Sequence, residues 1–209
     1  MAKPSRPADP RCIKAEVRTF FVTSRTAEGK AILQTDRMAN LFADVLRGYM
    51  REGKFKVHDF VVMRNHVHLL LTINGDMTIE KAMQLIKGGF SYRARTELGF
   101  RGEIWQRGFS DVRVRDAAAF RAHQLYIYNN PVKAGMARLA EDYPHASLYL
   151  RRVKAQGLNV KFQDVVPSQS IVHSTKTGEA DGVDQSASKE SAEWTCTRMP
   201  DLASVVEKL

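Results

Sequence analysis

Residues 55–73, FKVHDFVVMRNHVHLLLTI, hold two apolar, β-branched runs, Phe55 to Met63 and Val67 to Ile73, joined at the polar pair Arg64-Asn65. Runs of this composition form strands, and so short a polar break between them makes a hairpin. An antiparallel pair is therefore the centre from which the rest of the chain is read. Upstream, Val17 to Ser24 (VRTFFVTS) has the same buried-strand character. Between the two lie Met38, Leu41, Phe42, Val45, Leu46 and Tyr49 at the i, i+3, i+4, i+7 spacing of an amphipathic helix, with Thr35 or Asp36 as its N-cap. Downstream, Thr78 caps a second helix whose buried stripe is Ile79, Ala82, Met83, Ile86 and Phe90. Gly88-Gly89 inside that helix permits close packing or a kink. A short strand around Asp111 to Val114 leads to Asp116, the N-cap of a third helix that Pro131 must end or closely follow.

The order strand, helix, hairpin, helix, strand, helix predicts an α+β fold, an antiparallel sheet with helices packed on one face. Residues 1–15 read as a disordered leader and 16–154 as one folded domain. In 155–209 the composition turns to Ser, Thr, Asp, Glu and Gly with only Phe162 and Trp194 as aromatics, too little to bury a core, although the terminal DLASVVEKL suits a short helix. An apolar fraction of 44% over 209 residues suits one globular domain plus a tail. No stretch approaches the roughly 20 apolar residues of a membrane span. The basic, Pro-rich start lacks the apolar run of a secretory signal. A cytoplasmic protein without a membrane partner is expected, and in that reducing compartment Cys12 and Cys196 are free thiols.

Charge is unevenly spread. Residues 155–209 carry five Lys/Arg against eight Asp/Glu, a net of −3, leaving 27 against 15, or +12, on residues 1–154. A basic folded part suits a polyanion, whose condensed counterions are released on binding.

His66 and His68 flank Val67, and alternation along a strand projects both imidazoles from one face, as a bidentate clamp for a divalent transition metal. The competing reading of a pattern this short is one core histidine and one exposed one. In the third helix Tyr126 and Asn130 are four residues apart and share a face. A phenol is a usable nucleophile once a metal polarises the phosphorus it attacks, though a pKa of about 10 keeps it mostly protonated at neutral pH. Core packing is the competing role. Tyr128 lies about 200° around the helix from Tyr126, so only one of the two can face the histidines, and Asn130 favours Tyr126.

The segment MRNHVHLLL followed by LYIYNNPVKAG resembles the single-tyrosine HUH transposases, and IWQRGF between them resembles the REP-associated tyrosine transposases. The resemblance covers about residues 15–150 and implies a ferredoxin-like fold with the catalytic tyrosine on the last core helix. It implies Tyr126 as nucleophile and Mg²⁺ or Mn²⁺ held by His66, His68 and Asn130. It also implies a metal-dependent single-stranded DNA endonuclease and transposase that works by transesterification through a 5′-phosphotyrosine at hairpin-containing sites. Arg64 stands where the related motif often has proline. The alternatives are a non-catalytic hairpin-binding derivative and a metal-dependent nuclease that uses water. Single-stranded or hairpin DNA is the expected partner. Both monomers and homodimers occur among such proteins, and IWQRGF favours a monomer.

Candidate DNA contacts are Lys87 and Arg93 on the second helix, Arg107 and Arg113 after it, and Lys133 near the nucleophile. Trp105 can stack on an unpaired base or anchor its loop to the core. His123, one turn before Tyr126, can orient the phenol but reads more readily as a helix-surface histidine; His58 reads as structural or exposed.

Overall fold

The computed structural model describes residues 17–157. The expectations for the leader, Cys12, Cys196, Phe162, Trp194 and the terminal helix lie outside the described residues. Four strands and four helices follow in the order β1 (Arg18–Arg25), α1 (Asp36–Arg51), β2 (Lys56–Val62), β3 (His66–Ile73), α2 (Ile79–Leu98), β4 (Ser110–Val114), α3 (Ala117–Lys133) and α4 (Ser147–Ala155), with short 3-10 turns between them. The sheet runs β2-β3-β1-β4 with every pairing antiparallel. Among the described residues no helix is long and apolar enough to cross a membrane.

The caps form where the sequence places them. Thr35, not Asp36, accepts from the Met38 N–H (3.3 Å), Thr78 from Lys81 (3.2 Å) and Asp116 from Ala119 (2.7 Å). At the hairpin tip the Leu33 N–H donates to the Arg64 carbonyl and the Thr26 N–H to the Asn65 carbonyl, both at 2.9 Å. The turn is thus held through backbone carbonyls, which arginine supplies as well as proline does.

The α+β class stands, but the helices occupy both faces of the sheet rather than one. Phe20 and Val22 of β1 with Val67, Leu69, Leu71 and Ile73 of β3 pack against α1 and α2. The alternate residues Phe21 and Leu70, with Val61, Met63 and Val114, pack against Ile127 of α3 and against Tyr143 and Ala146. The physical reason lies in Leu69-Leu70-Leu71: a strand apolar on both sides needs cover on both.

Pro131 does not end α3, which runs two residues further, to Lys133, with the Pro131 ring buried. So close to the end little is lost, and the Met136 N–H reaches the Pro131 carbonyl at 2.8 Å. The segment before α4 was not read from sequence. It covers the exposed edge of β2: Val62 N–H donates to His145 O (2.9 Å), Phe60 N–H to Ser147 Oγ (3.2 Å), and Tyr143 Oη to Val62 O (2.8 Å).

Candidate active site

His66 and His68 occupy the α3 side of the sheet, as period-two alternation requires. Thr23 stands opposite His68 in the register, and its Oγ1 lies 2.9 Å from His68 Nδ1. His68 is 4% exposed, and its Nε2 is buried without a hydrogen-bond partner among the described residues. His66 Nδ1 lies 2.7 Å from Asn65 Oδ1. An amide oxygen only accepts, so Nδ1 carries the proton and His66 Nε2 the lone pair. The two rings are 4.8 Å apart between centroids. The Asn130 side chain of α3 lies close enough to His66 to influence its protonation.

Burial, then the nearby Arg25 guanidinium, push His66 down to about 4 against a weaker opposing contribution from Asn130. Burial, then His66 and Arg25, hold His68 well below the usual histidine range. Both rings are therefore neutral at pH 7, the form that donates a lone pair to a metal.

Tyr126 projects from α3 onto this pair, its ring edge-on to His68 at 5.2 Å. Phe21 is their common floor, stacked on His68 (5.4 Å) and His123 (4.5 Å) and edge-on to Tyr126 (5.6 Å). Lys133 Nζ sits 5.9 Å from the Tyr126 centroid. Tyr128 points elsewhere, its hydroxyl donating to Asp59 at 3.0 Å. The fold thus brings His66, His68, Asn130, Tyr126 and Lys133 together and keeps Tyr128 apart.

The donor set suits a divalent ion. A buried imidazole nitrogen with no protein partner is costly unless something else satisfies it. His66 and His68 each have Nδ1 engaged, the arrangement that aims Nε2 at a metal. Among the described residues no group of three His, Cys, Asp or Glu offers an alternative cage.

Three expected DNA contacts are engaged within the protein. Trp105 is 6% exposed and packs on Phe42 (5.8 Å) and Phe90 (5.4 Å), so it anchors its loop and presents no face to a base. The apolar pair Ile104-Trp105 is drawn into the α1–α2 core, where burying a Trp ring contributes most. Lys87 Nζ donates to the Gln106 and Gly108 carbonyls, both at 2.8 Å, and clamps the same loop. Arg93 pairs with Glu97 one turn on. Arg107 and Arg113 remain on the surface. His123 is 3% exposed, not on the helix surface: it stacks on Phe21 inside the face that α3 covers. His58 is half-buried, with Nε2 2.7 Å from Thr72 Oγ1.

Two residues escaped the sequence reading. Arg25 pairs with His66 in the β1–β3 register; the signal available was a basic residue closing a strand that must lie beside the histidines. Asp59 is 1% exposed within β2; the only signal was an acid inside an apolar run.

Residues 19–130 match the family model described as "Transposase IS200 like". The chain is 28% identical over 141 residues to a REP-associated tyrosine transposase of Escherichia coli (strain K12), covering 67% of this chain and 81% of that protein. It is 30% identical over 142 residues to a putative REP-associated tyrosine transposase of Haemophilus influenzae, covering 60% of this chain and 80% of that one. Among solved structures, that of a REP-associated tyrosine transposase bound to a REP hairpin superposes with a TM-score of 0.58 at 22% identity, over 86% of this chain and 100% of that one, a likeness of fold.

Proposed function

Since the chain belongs to the IS200-like transposase family, we propose that it cuts and rejoins single-stranded DNA beside a hairpin, with Tyr126 as nucleophile and His66, His68 and Asn130 as metal ligands. The observation that carries this reading is the Tyr126 ring set against His68, whose buried Nε2 has no partner among the described residues. Mg²⁺ or Mn²⁺ on His66 Nε2, His68 Nε2 and the Asn130 amide oxygen would supply Lewis-acid polarisation of the scissile phosphate.

The protein's own groups do the rest. Tyr126 Oη forms the bond to phosphorus and releases its proton to solvent, while the phosphorus–O3′ bond breaks and the departing oxygen takes up a proton. The products are a 5′-phosphotyrosine and a 3′-hydroxyl, and another 3′-hydroxyl reverses the step without nucleotide hydrolysis. Lys133, beside the Tyr126 ring, and Arg25, beside the histidines, set positive charge where the non-bridging oxygens gain negative charge. Between a helix and a strand face a single strand threads more readily than a duplex. Arg107, exposed in the loop after α2, would hold the neighbouring hairpin through its phosphates, with Arg113 of β4 as a further basic contact. The names of the two relatives and the hairpin of the similar structure support that substrate.

Denaturing electrophoresis with a labelled hairpin carrying a single-stranded flank, in Mn²⁺, is the test. Wild type should carry label covalently, Tyr128→Phe should still acquire it on long incubation, and Tyr126→Phe should not acquire it at all. Label retained in Tyr126→Phe would reverse the nucleophile assignment. Cutting without an adduct would favour attack by water, and binding without cutting would favour a non-catalytic hairpin binder.

A further inference from the structure

We propose that Asp59 is the anchor that sets the pose of the nucleophile helix, with Tyr128, the second tyrosine of YIYNNP, as the positioning residue through which it acts. The inference rests on Tyr126 being the nucleophile. Asp59 lies just past a register irregularity in β2, between Val57 and Asp59, and is 1% exposed. Its carboxylate accepts from Gln124 Nε2 (2.7 Å) and Tyr128 Oη (3.0 Å) on α3, and from Ser147 Oγ (2.8 Å) and the Arg151 guanidinium on α4. Each helix thus supplies donors four residues apart, from a single face. Arg151 also donates to the Tyr128 hydroxyl and to the His58 carbonyl (3.1 Å).

The buried seam of α3 explains why such an anchor matters. It consists of His123, Ile127 and Pro131, one residue per turn. So narrow a fully buried seam, with Phe120, Tyr126 and Tyr128 only partly buried beside it, leaves much of the roll of the helix to be set at its flanks. Tyr126 and Tyr128 flank Ile127 at about 100° on either side. Pinning the Tyr128 flank therefore fixes the Tyr126 flank, where the place of the hydroxyl relative to the histidine pair decides whether it can line up with the scissile phosphorus–oxygen bond. A misplacement of about 1 Å costs on the order of 10²-fold in rate. A buried carboxylate is a poor device for stability alone, since well-packed apolar side chains do as well. What it adds is directional contact with two helices at once. Ser147 and Arg151 lie beyond the residues 19–130 that match the family model, so α4 belongs to the scaffold of the site even though it contributes nothing to the reacting atoms.

The test uses the full chain with Tyr128→Phe, which keeps the ring and removes only the hydroxyl, and with Asp59→Asn. Two readouts are taken: single-turnover adduct formation at saturating flanked hairpin, and the ring resonances of His68 in histidine-labelled protein, which feel the Tyr126 ring 5.2 Å away. Tyr128→Phe should slow adduct formation by at least about 10-fold with unchanged hairpin affinity, and should shift the His68 resonances. A folded Tyr128→Phe with unshifted resonances overturns the anchor, whatever its rate. A shift with wild-type rate, or a rate loss matched by lost affinity, overturns it equally. If Asp59→Asn fails to fold, Tyr128→Phe alone decides. A wild type that forms no adduct defeats the proposed reaction, while the His68 resonances still decide whether Tyr128 fixes α3.

Discussion

Leu69 and His68 are neighbours on β3 and face opposite environments. Leu69, with Leu71, Ile73, Phe20 and Val22, meets α1 and α2 in a large apolar cluster that includes Phe42 and Phe90. His68 looks the other way, toward Thr23, His66, Phe21 and Tyr126. That side has a smaller apolar cluster and carries the buried polar groups His68, His123 and Asp59. The strand's period of two lets one segment supply both the dry core that holds the sheet and the clamp that serves the chemistry. The division makes the two faces separable by mutation, with stability on one and reactivity on the other.

His68→Leu is the sharpest way to break that division. Metal-dependent adduct formation should fall by at least about 10²-fold, because one imidazole and an amide make a poor site. The melting temperature should stay close to wild type, since exchanging a buried nitrogen without a partner for apolar surface offsets the lost 2.9 Å contact between His68 Nδ1 and Thr23. A variant that unfolds would show that the second face is core after all. Leu69→Ala should do the reverse and cost about 2–5 kcal/mol in urea unfolding, because Leu69 is fully buried among α1 and α2 side chains. Its adduct rate should match wild type wherever it remains folded; a rate that falls while the fold persists would mean that the faces are coupled.

The first face was legible because it is periodic: the α1 and α2 stripes and their threonine caps need nothing beyond the sequence. On the second face the histidine pair and the Tyr126–Asn130 spacing were legible too, being fixed by strand and helix geometry. What could not be read follows from weak patterning. The single-residue seam of α3 gives no amphipathic stripe to say which side of the sheet it covers, and the nine-residue α4 with only Ser147 and Val153 buried gives less. Asp59 reads as an acid in an edge strand until Gln124, Tyr128, Ser147 and Arg151 are brought around it by the fold. Trp105 fitted either a base platform or a core anchor until the position of its loop against Phe42 and Phe90 was known.

Acid should find the second face first. His123 is buried against Phe21, and burial lowers its pKa; His145 is lowered by burial too, offset in part by Asp36 2.9 Å away. A histidine whose folded pKa is depressed binds fewer protons folded than unfolded, so its contribution is complete above the unfolded value of about 6.5 and is lost as pH falls. His66 and His68 add to this in the same sense, so the unfolding free energy in urea should fall between pH 7.5 and 5.5 by at most about 1.4 kcal/mol per pH unit for each such histidine. His123→Phe should remove one histidine's share of that slope and leave the shares of His66, His68 and His145. A wild-type midpoint constant over that range would contradict the burial argument.

The smallest effect concerns how tightly the dry face is closed, and it comes from two adjacent glycines of α2. Both sit in a helix interior, where alanine is favoured over glycine by about 0.5–1 kcal/mol. A Cβ on Gly88 would meet nothing within 4 Å, whereas one on Gly89 would come to 2.5 Å from Tyr49 Oη and 3.0 Å from its ring. Tyr49 belongs to α1 and packs on the apolar cluster, so Gly89 is where α1 and α2 approach most closely among these two positions. Gly88→Ala should stabilise by about 0.5–1 kcal/mol. Gly89→Ala should forfeit that gain, because Tyr49 must shift and overpacking at a helix contact costs about 1–3 kcal/mol. Urea unfolding of the two variants side by side reads the difference directly. Equal stabilisation by both would mean that Tyr49 swings aside at no cost and that the α1–α2 contact is looser than the rest of the dry face.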